Sequence, residues 1–375
     1  MPPLSLYIHF PWCVRKCPYC DFNSHAVKHG IPEQAYIKAL LADLDQELAQ
    51  LSVIRPLQSI FMGGGTPSLF SAASLDELLQ GVSQRLPWSE TCEITLEANP
   101  GSVEAAKFVD FNRIGINRLS IGIQSFNDQH LQVLGRIHNA EEAKQAIEIA
   151  QAAGFDNFNL DLMFGLPQQT LEQAVEDIET AIRFQPSHIS FYQLTLEPNT
   201  YFYRYPPVLP EDDDLYGIQK ACQDQLAANG YQQYEISAYA KEGKQARHNL
   251  NYWQFGDYLG IGAGAHGKLS LQLPDNILRT SKPKNPEQYL AGLPGNREHI
   301  ATEQLPLEYV MNQLRLKSGF SKQDFTRMTG LPLNALQPAL ANCLQDGLLT
   351  EVAEQIVCTE RGWDFLDEIL QRFYV

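Results

Sequence analysis

Apolar and polar positions follow two different periods along the first half of the chain. Short runs dominated by apolar residues predict buried β-strands. These runs cover residues 4–10, 57–62, 93–98, 118–123, 158–163 and 188–194. Between them apolar residues recur every three or four positions, as in residues 32–51, which is typical of amphipathic helices. Asn139 with Glu142, and Thr170 with Gln173, have the spacing of helix capping boxes. The pattern predicts successive βα units around a parallel sheet.

Six βα units are too few to close the usual eight-stranded barrel. We therefore predict an α/β fold built on an open, partial (β/α)6 barrel. In open parallel sheets, ligands bind beyond the carboxyl ends of the strands. The glycine-rich and polar loops that follow the predicted strands all lie at that end, so we expect the functional site there.

The pattern changes in the second half of the chain. Residues 198–210 are rich in Tyr and Pro, and residues 211–229 predict a helix with an acidic first turn. Residues 232–239 predict one strand. Residues 259–267 are small and are expected to be flexible, and residues 273–297 read as a linker or long loop.

The last part of the chain is again helical. One helix begins at Ser321, and others are predicted over residues 334–346 and 362–373. Two short strands are predicted at residues 348–350 and 355–359. This order of elements resembles a winged-helix module.

We predict three parts along the chain. Residues 1–200 form the core with the site, residues 201–300 form an extension and connecting region, and residues 301–375 form a small, mostly helical, winged-helix-like domain. Residues 305–375 contain six Lys and Arg against nine Asp and Glu. The C-terminal domain therefore has too little positive charge for a DNA-binding domain. We expect it to pack against the core or to act as a lid.

Composition and charge narrow the class of protein. The formal net charge of −16 disfavours a nucleic-acid partner, because binding phosphates requires clustered Lys and Arg. No window approaches the about 18 uninterrupted apolar residues of a membrane span, and no signal peptide is visible. Of seven cysteines, three share one loop and four are scattered. This distribution favours a reducing compartment, so we expect a cytoplasmic protein.

The three clustered cysteines follow the first predicted strand. Cys13, Cys17 and Cys20 can share one tight loop. Three thiolates suit a cubane 4Fe-4S cluster with one iron left open, and an open iron can bind an amino and a carboxylate group. The alternatives are a zinc site, with His9 or His25 as fourth ligand, or three unrelated buried cysteines.

Other candidate residues occur at predicted strand ends. The loop Gly63-Gly64-Gly65-Thr66-Pro67 offers bare backbone to a ligand, although a tight βα turn is the simpler interpretation. Glu97 ends the third strand, where a carboxylate can orient a hydroxyl or ammonium group, unless it is a surface acid. Arg136 could pair with a ligand carboxylate in a forked geometry. Asp161 lies in an apolar strand and so needs a partner.

The spacing Cys-x3-Cys-x2-Cys is the signature of the radical S-adenosylmethionine (SAM) superfamily. The segments 7–12 and 18–24 around it, and 118–126 and 159–167 further on, closely resemble one branch of that superfamily. This branch contains the oxygen-independent coproporphyrinogen III dehydrogenases and their HemW relatives. The resemblance covers nearly all of the chain.

The resemblance implies a set of roles at matching positions. Cys13, Cys17 and Cys20 would bind the cluster. Tyr7, Gly65 and Glu97 would contact a first SAM. The positions that match those lining a second SAM pocket in the dehydrogenase are Tyr19, Thr66, Gln124, Arg136 and Asp161.

Departures from the dehydrogenase pattern favour the HemW group. Phe22 stands where the dehydrogenase has a further cysteine, and the first strand begins near residue 4 without the dehydrogenase's N-terminal extension. The chain instead has the HNxxYW motif that is associated with HemW proteins. Its residues are His248, Asn249, Tyr252 and Trp253. An imidazole can ligate haem iron and aromatic rings can stack on a macrocycle, so His248 is the expected haem ligand, with core packing as the alternative.

The resemblance therefore implies a HemW-like haem chaperone with a 4Fe-4S cluster and SAM. Its partners would be haem, a haem-acceptor protein and an electron donor such as a flavodoxin-like reductant. The alternative is an oxygen-independent coproporphyrinogen III dehydrogenase, which decarboxylates propionates to vinyl groups. A radical SAM enzyme that modifies RNA is a third alternative, and the acidic charge disfavours it.

Overall fold

The computed structural model describes residues 1–28 and 30–374. The strands are numbered here in chain order. They are β1 Leu4–Phe10, β2 Trp12–Cys13, β3 His25–Ala26, β4 Leu57–Gly64, β5 Trp88–Ala98, β6 Arg118–Gln124, β7 Phe158–Phe164, β8 His188–Gln193, β9 Gln232–Glu235, β10 Ala238–Ala240, β11 Asp257–Ile261, β12 His266–Gln272, β13 Asn276–Ser281, β14 Asn296–His299, β15 Phe320–Ser321, β16 Leu349–Val352 and β17 Gln355–Cys358.

The helices lie between and after these strands. They are α1 Glu33–Leu48, α2 Ala72–Ser83, α3 Ser102–Ala105, α4 Phe108–Arg113, α5 Asp128–Val133, α6 Ala140–Ala152, α7 Leu171–Arg183, α8 Tyr201–Arg204, α9 Asp212–Ala228, α10 Arg247–Trp253, α11 Pro286–Leu290, α12 Leu305–Gln313, α13 Lys322–Thr329, α14 Ala339–Gln345, α15 Glu360–Asp364 and α16 Leu366–Arg372. Both predicted capping boxes are present, at the starts of α6 and α7. Within the described residues, none of these helices combines the length and the apolar character needed to cross a membrane.

One large sheet organises the fold. Its strand order is β14-β13-β12-β11-β1-β4-β5-β6-β7-β8-β10-β9. The central strands from β11 to β8 are parallel to their neighbours. The outer strands pair antiparallel. The predicted α/β fold with an open, partial (β/α)6 barrel and a C-terminal winged module is confirmed, and all six predicted parallel strands are present.

Successive residues of β1 point to different environments. The residues that pack between the sheet and the helices are Leu4, Leu6, Ile8 and Phe10. The residues on the opposite face are Ser5, Tyr7 and His9. On that face the Ser59 hydroxyl of β4 donates to the Ser5 hydroxyl at 2.8 Å. The alternation follows from the two-residue period of a strand. It leaves a polar face on the side of the sheet opposite those helices.

Residues 259–267, predicted to be a flexible piece, instead form the end of β11, a turn and the start of β12. β11 pairs in parallel with β1, and β12 pairs antiparallel with β11. A Cβ on Gly260 would collide with the backbone carbonyl of His266. The small residues therefore reflect the close approach of two strands, because glycine alone fits there.

Two other segments of the second half contain more structure than predicted. The single strand predicted at residues 232–239 is the hairpin of β9 and β10, in which the Glu235 carboxylate accepts hydrogen bonds from the backbone and the hydroxyl of Ser237, both at 2.9 Å. Residues 273–297 form β13, α11 and the start of β14, not a linker. The segment ends in β14, whose four residues are all exposed at the edge of the sheet.

The C-terminal module has its own three-stranded sheet, β15-β17-β16. The helix predicted over residues 334–346 is shorter, since α14 follows Pro338 and a 3-10 turn precedes it. The helix predicted over residues 362–373 is two helices, α15 and α16. Phe255 and Ile277 belong to the hydrophobic cluster of this module. Contacts thus cross the division at residue 300, and the three-part division stays a prediction.

Candidate functional site

The cysteine loop is held at both ends by backbone hydrogen bonds. It leaves β1 through β2 and returns in β3, which pairs in parallel with β2. The backbone N–H of His25 donates to the Pro11 carbonyl at 2.7 Å, and that of Val27 donates to the Cys13 carbonyl at 2.9 Å. These bonds fix where the loop starts and ends, so its thiols are presented from a defined base.

All three thiols of the loop line one cavity of about 370 Å³. The Thr66 hydroxyl donates to Cys13 Sγ at 3.5 Å, and Arg136 Nη1 donates to Cys17 Sγ at 3.7 Å. Cys20 Sγ lies 3.8 Å from the Ser24 hydroxyl. Burial is the largest cause that raises the pKa of Cys13 and of Cys20.

This donor set fits an iron–sulfur cluster. Cysteine thiolates are the usual ligands of such clusters, and hydrogen bonds to the sulfurs tune their potential. In residues 1–28 and 30–374, no three or more His, Cys, Asp or Glu side chains are arranged around the position of a single metal ion. The thiols are instead spread over the wall of a cavity that is larger than one ion.

The glycine-rich loop after β4 is packed against the backbone before the cysteines. Gly65 donates its N–H to the Phe10 carbonyl at 2.6 Å. A Cβ on Gly65 would lie 2.6 Å from the Trp12 carbonyl oxygen and 2.7 Å from that of Phe10. Gly64 has φ of +107°, in the region that favours glycine. Glycine is therefore required at both positions for the loop to border the cavity.

Two carboxyl groups, Glu97 and Asp161, face the cavity from β5 and β7. Glu97 accepts a hydrogen bond from the Gly64 N–H at 3.0 Å, and Asp161 accepts from Ser120 at 3.0 Å. Burial, with a smaller contribution from the nearby carboxyl group of Asp161, raises the pKa of Glu97 to about 8. Burial also raises the pKa of Asp161. Paired, partly desolvated carboxyl groups of this kind suit a cationic or hydroxyl-bearing ligand.

Arg136 supplies the positive charge of the cavity wall. Its Nη2 atom donates to Asn99 Oδ1 and to the Gly122 carbonyl, both at 2.7 Å. Its Nε atom is buried and has no hydrogen-bond partner in the described part of the chain. Gln124 also lines the cavity with a φ of +71°, and its amide oxygen accepts from the Tyr192 hydroxyl at 2.7 Å. Uncommon backbone of this type is often found at functional sites.

The structure brings together most of the residues implied for the cluster and SAM. Those that line the cavity are Cys13, Cys17, Cys20, Tyr19, Gly65, Thr66, Glu97, Gln124, Arg136 and Asp161. Tyr7 does not line it; its hydroxyl lies 2.9 Å from Nδ1 of His9, whose Nε2 lies 2.9 Å from the Asn23 carbonyl oxygen. Tyr7 is thus connected to the cysteine loop through His9.

The HNxxYW motif lies elsewhere, on α10 beside β1 and β4, and none of its residues lines the cavity. His248 is 1% exposed, and its Nδ1 lies 2.9 Å from the Ser59 hydroxyl. Its Nε2 lies 2.9 Å from the Tyr252 hydroxyl. Trp253 packs under the Arg315 guanidinium at 4.3 Å, and Asn249 is half-buried. As a haem ligand His248 stays a prediction, and this conformation offers it no free ring nitrogen.

Sequence reasoning missed several residues of the cavity wall. They include Val14, Arg15, Asn99, Ser120, Ile137 and Tyr192. Asn99 directly follows a predicted strand, so its position at a strand end could have indicated that it lines the site. Ser120 and Tyr192 lie inside strands. The face of the sheet on which their side chains lie follows from the register of those strands with Gln124 and Asp161. The exposed apolar residues carried no such signal, because a sequence does not distinguish a cavity rim from ordinary surface.

The fold and the three-cysteine loop are those of a radical SAM protein. Residues 7–181 match the family model described as "Radical SAM superfamily", and residues 300–365 match the "HemN C-terminal domain". The solved structure of coproporphyrinogen III oxidase (HemN) from Escherichia coli has the same fold. It aligns with a TM-score of 0.82 over 99% of this chain and 90% of that one, at 20% identity.

Curated relatives give the family within this class. "Heme chaperone HemW" of Escherichia coli is 51% identical over 376 residues, which is 100% of this chain and 98% of the relative. The protein of the same name from Haemophilus influenzae is 52% identical over 100% of this chain and 98% of its own length. That of Bacillus subtilis is 35% identical over 98% of both. The chain belongs to the HemW family.

Proposed function

We propose that this protein is a haem chaperone, which binds haem and passes it to an acceptor protein, and that it contains a 4Fe-4S cluster and SAM. The similarity over the full length to proteins named heme chaperone HemW is the observation that carries the proposal. The cavity lined by three thiols supports the cofactor part of it. The free cysteines favour a reducing compartment, in keeping with a cytoplasmic location.

Cys13, Cys17 and Cys20 would hold the cluster, and their three neighbouring donors would stabilise the thiolates. When bound, the cluster and SAM supply one-electron reductive chemistry at the SAM sulfonium. A flavodoxin-like protein is the kind of electron donor this chemistry needs. The chain's own contribution is to bind the cofactors in a fixed geometry and to keep water away from them.

The cavity wall offers matched groups for SAM. Glu97 can accept a hydrogen bond from a ribose hydroxyl or an ammonium group, and the bare backbone at Gly65 allows the close approach of the methionyl part. Arg136 has the fork geometry for a carboxylate. Tyr19, Thr66, Gln124 and Asp161 complete the wall. The cavity thus combines groups of both signs, as a zwitterionic ligand requires.

Oxygen-independent coproporphyrinogen III dehydrogenase is the second candidate function, and the shared fold with HemN is the observation in its favour. The position of Phe22 speaks against it. Phe22 lines the cavity where the dehydrogenase has a further cysteine, and its side chain is 58% exposed. The thiol of the dehydrogenase is replaced by an apolar ring.

One anaerobic experiment separates the two functions. The cluster is reconstituted, and SAM, reductant and coproporphyrinogen III are added before the products are analysed by mass spectrometry. In parallel, haem is titrated and its visible spectrum is recorded. We expect a changed haem spectrum and no decarboxylated porphyrinogen. Formation of the decarboxylated product would refute the chaperone proposal in favour of the dehydrogenase.

A further inference from the structure

Three large apolar side chains surround the mouth of the cavity. Val14, Phe22 and Ile137 line it, and they are 52%, 58% and 52% exposed. Val14 and Phe22 belong to the cysteine loop, whereas Ile137 follows α5. Single exposed apolar residues are ordinary on a protein surface, but several around one cavity mouth indicate a binding surface. We call these three residues the apolar rim.

An aromatic helix is attached to the same loop. The backbone N–H of Phe202, in α8, donates to the Pro18 carbonyl at 3.0 Å, and Phe202 is buried in a cluster that includes the partly buried Tyr19. The neighbouring tyrosines remain 53% to 61% exposed. They are Tyr201, Tyr203 and Tyr205. Exposed aromatic rings thus lie on an element fixed to the cysteine loop.

The cysteine loop carries two cations, Arg15 and Lys16, against one acid, the exposed Asp21, although the chain as a whole is acidic. The net charge is −16, yet Arg15 lines the cavity and Lys16 donates to the Phe22 carbonyl at 3.1 Å. Arg204 lies 5.4 Å from the centre of the Tyr205 ring. Cations therefore stand beside the apolar rim and beside the aromatic helix. A ligand that matches both features is a flat apolar body with negative charges at its edge.

We propose that haem docks at this mouth, with its macrocycle against the apolar rim and its propionates near Arg15 and Lys16. The inference rests on the proposed chaperone function and gives it a site. It also explains why Phe22 replaces the cysteine of the dehydrogenase, since an aromatic ring provides contact area for a macrocycle. In this arrangement haem binding needs no ligand from the buried His248.

The test is a haem titration of the full chain with its cluster, followed by visible absorbance. The double variant Phe22→Ser/Ile137→Ser should raise the Kd for haem about tenfold or more, because it removes the apolar contact. The matched control is Val53→Ser/Ile54→Ser, whose residues are 50% and 56% exposed and precede β4 at the end opposite the site. Arg15→Glu, which reverses a charge at the cavity and keeps all three apolar side chains of the rim, should also weaken binding.

The outcomes are distinguishable. Weaker binding in both mouth variants, with unchanged affinity in the control and unchanged cluster iron, supports the docking site. Unchanged haem affinity in both mouth variants overturns it. If haem affinity is unchanged but transfer to an acceptor protein becomes slower, the mouth is a surface for docking a protein, and the proposal is likewise overturned. A wild-type chain that binds no haem refutes the chaperone proposal itself. Circular dichroism checks that the variants are folded.

Discussion

Replacing His248 with glutamine should make the protein less sensitive to acid. The imidazole is fully enclosed, between the Ser59 and Tyr252 hydroxyls and beside the Phe61 ring at 5.0 Å. Glutamine also carries a donor and an acceptor, so it can keep part of this hydrogen bonding, but it cannot take up a proton. Partial loss of the two bonds should lower the free energy of unfolding by about 1 to 3 kcal/mol at neutral pH.

The acid effect follows from the pKa of the imidazole. Burial, and to a smaller extent the charge of Arg118, lowers the pKa of His248 to about 3 in the folded state. As pH falls below about 6.5 the unfolded state takes up the proton first, so the stabilisation present above that pH is progressively lost. Between about pH 7.5 and pH 5.5 this single group accounts for about 1.4 kcal/mol of lost stability. The glutamine variant should not show this loss of stability, because its side chain takes up no proton.

The assay is urea denaturation of both proteins at the two pH values. Other buried histidines, such as His188, titrate in both proteins and cancel in the comparison of the two pH differences. The control is His299→Gln, at an exposed position of β14, which should leave the pH difference unchanged. If His248→Gln shows the same loss of stability between the two pH values as the wild type, the imidazole is not a neutral core group and the reasoning fails.

Three further predictions concern the cavity. Gly65→Ala should weaken SAM binding in equilibrium dialysis, whereas Gly101→Ala should not, because a Cβ on Gly101 meets nothing within 4 Å. Cys17→Ser should reduce the iron content after anaerobic reconstitution to background, and Cys358→Ser, at a half-buried cysteine outside the loop, should retain the cluster. Glu97→Gln should weaken SAM binding yet raise the free energy of unfolding at pH 7.5. In the folded state the Glu97 carboxyl group keeps its proton up to about pH 8, whereas in the unfolded state it loses that proton above about pH 4.3, and glutamine removes this cost of folding. Equal or lower stability of that variant in urea denaturation would contradict the last expectation.

The parallel strands and the position of the site could be predicted because each depends on local pattern. A buried parallel strand is a short apolar run, and the loops at its carboxyl end share one edge of the sheet. The run at residues 4–10 gives β1 with the same bounds, and the loops of Cys13 and Gly65 meet at one cavity. Capping boxes at Asn139 and Thr170 are also local, since their partners lie three residues away.

The missed elements depend on partners that are distant along the chain. β11 is a strand because it lies against β1, about 250 residues earlier, where the register pairs Tyr7 with Gly260. Its glycines resemble a flexible loop until the neighbouring strand is known. The exposed edge strand β14 was missed for a related reason, because it buries no face and so has no apolar alternation.

The HNxxYW motif and the cavity are linked through shared strands. On β5, Glu93 accepts hydrogen bonds from the backbone N–H groups of Arg247 and His248 at 3.2 and 3.1 Å, while Glu97, on the same face, accepts from Gly64 at 3.0 Å. Because side chains two and four residues apart in a strand share a face, one strand joins the start of α10 to the glycine loop. Substitutions in the motif can therefore disturb the cavity by moving β5, without any bond between His248 and iron.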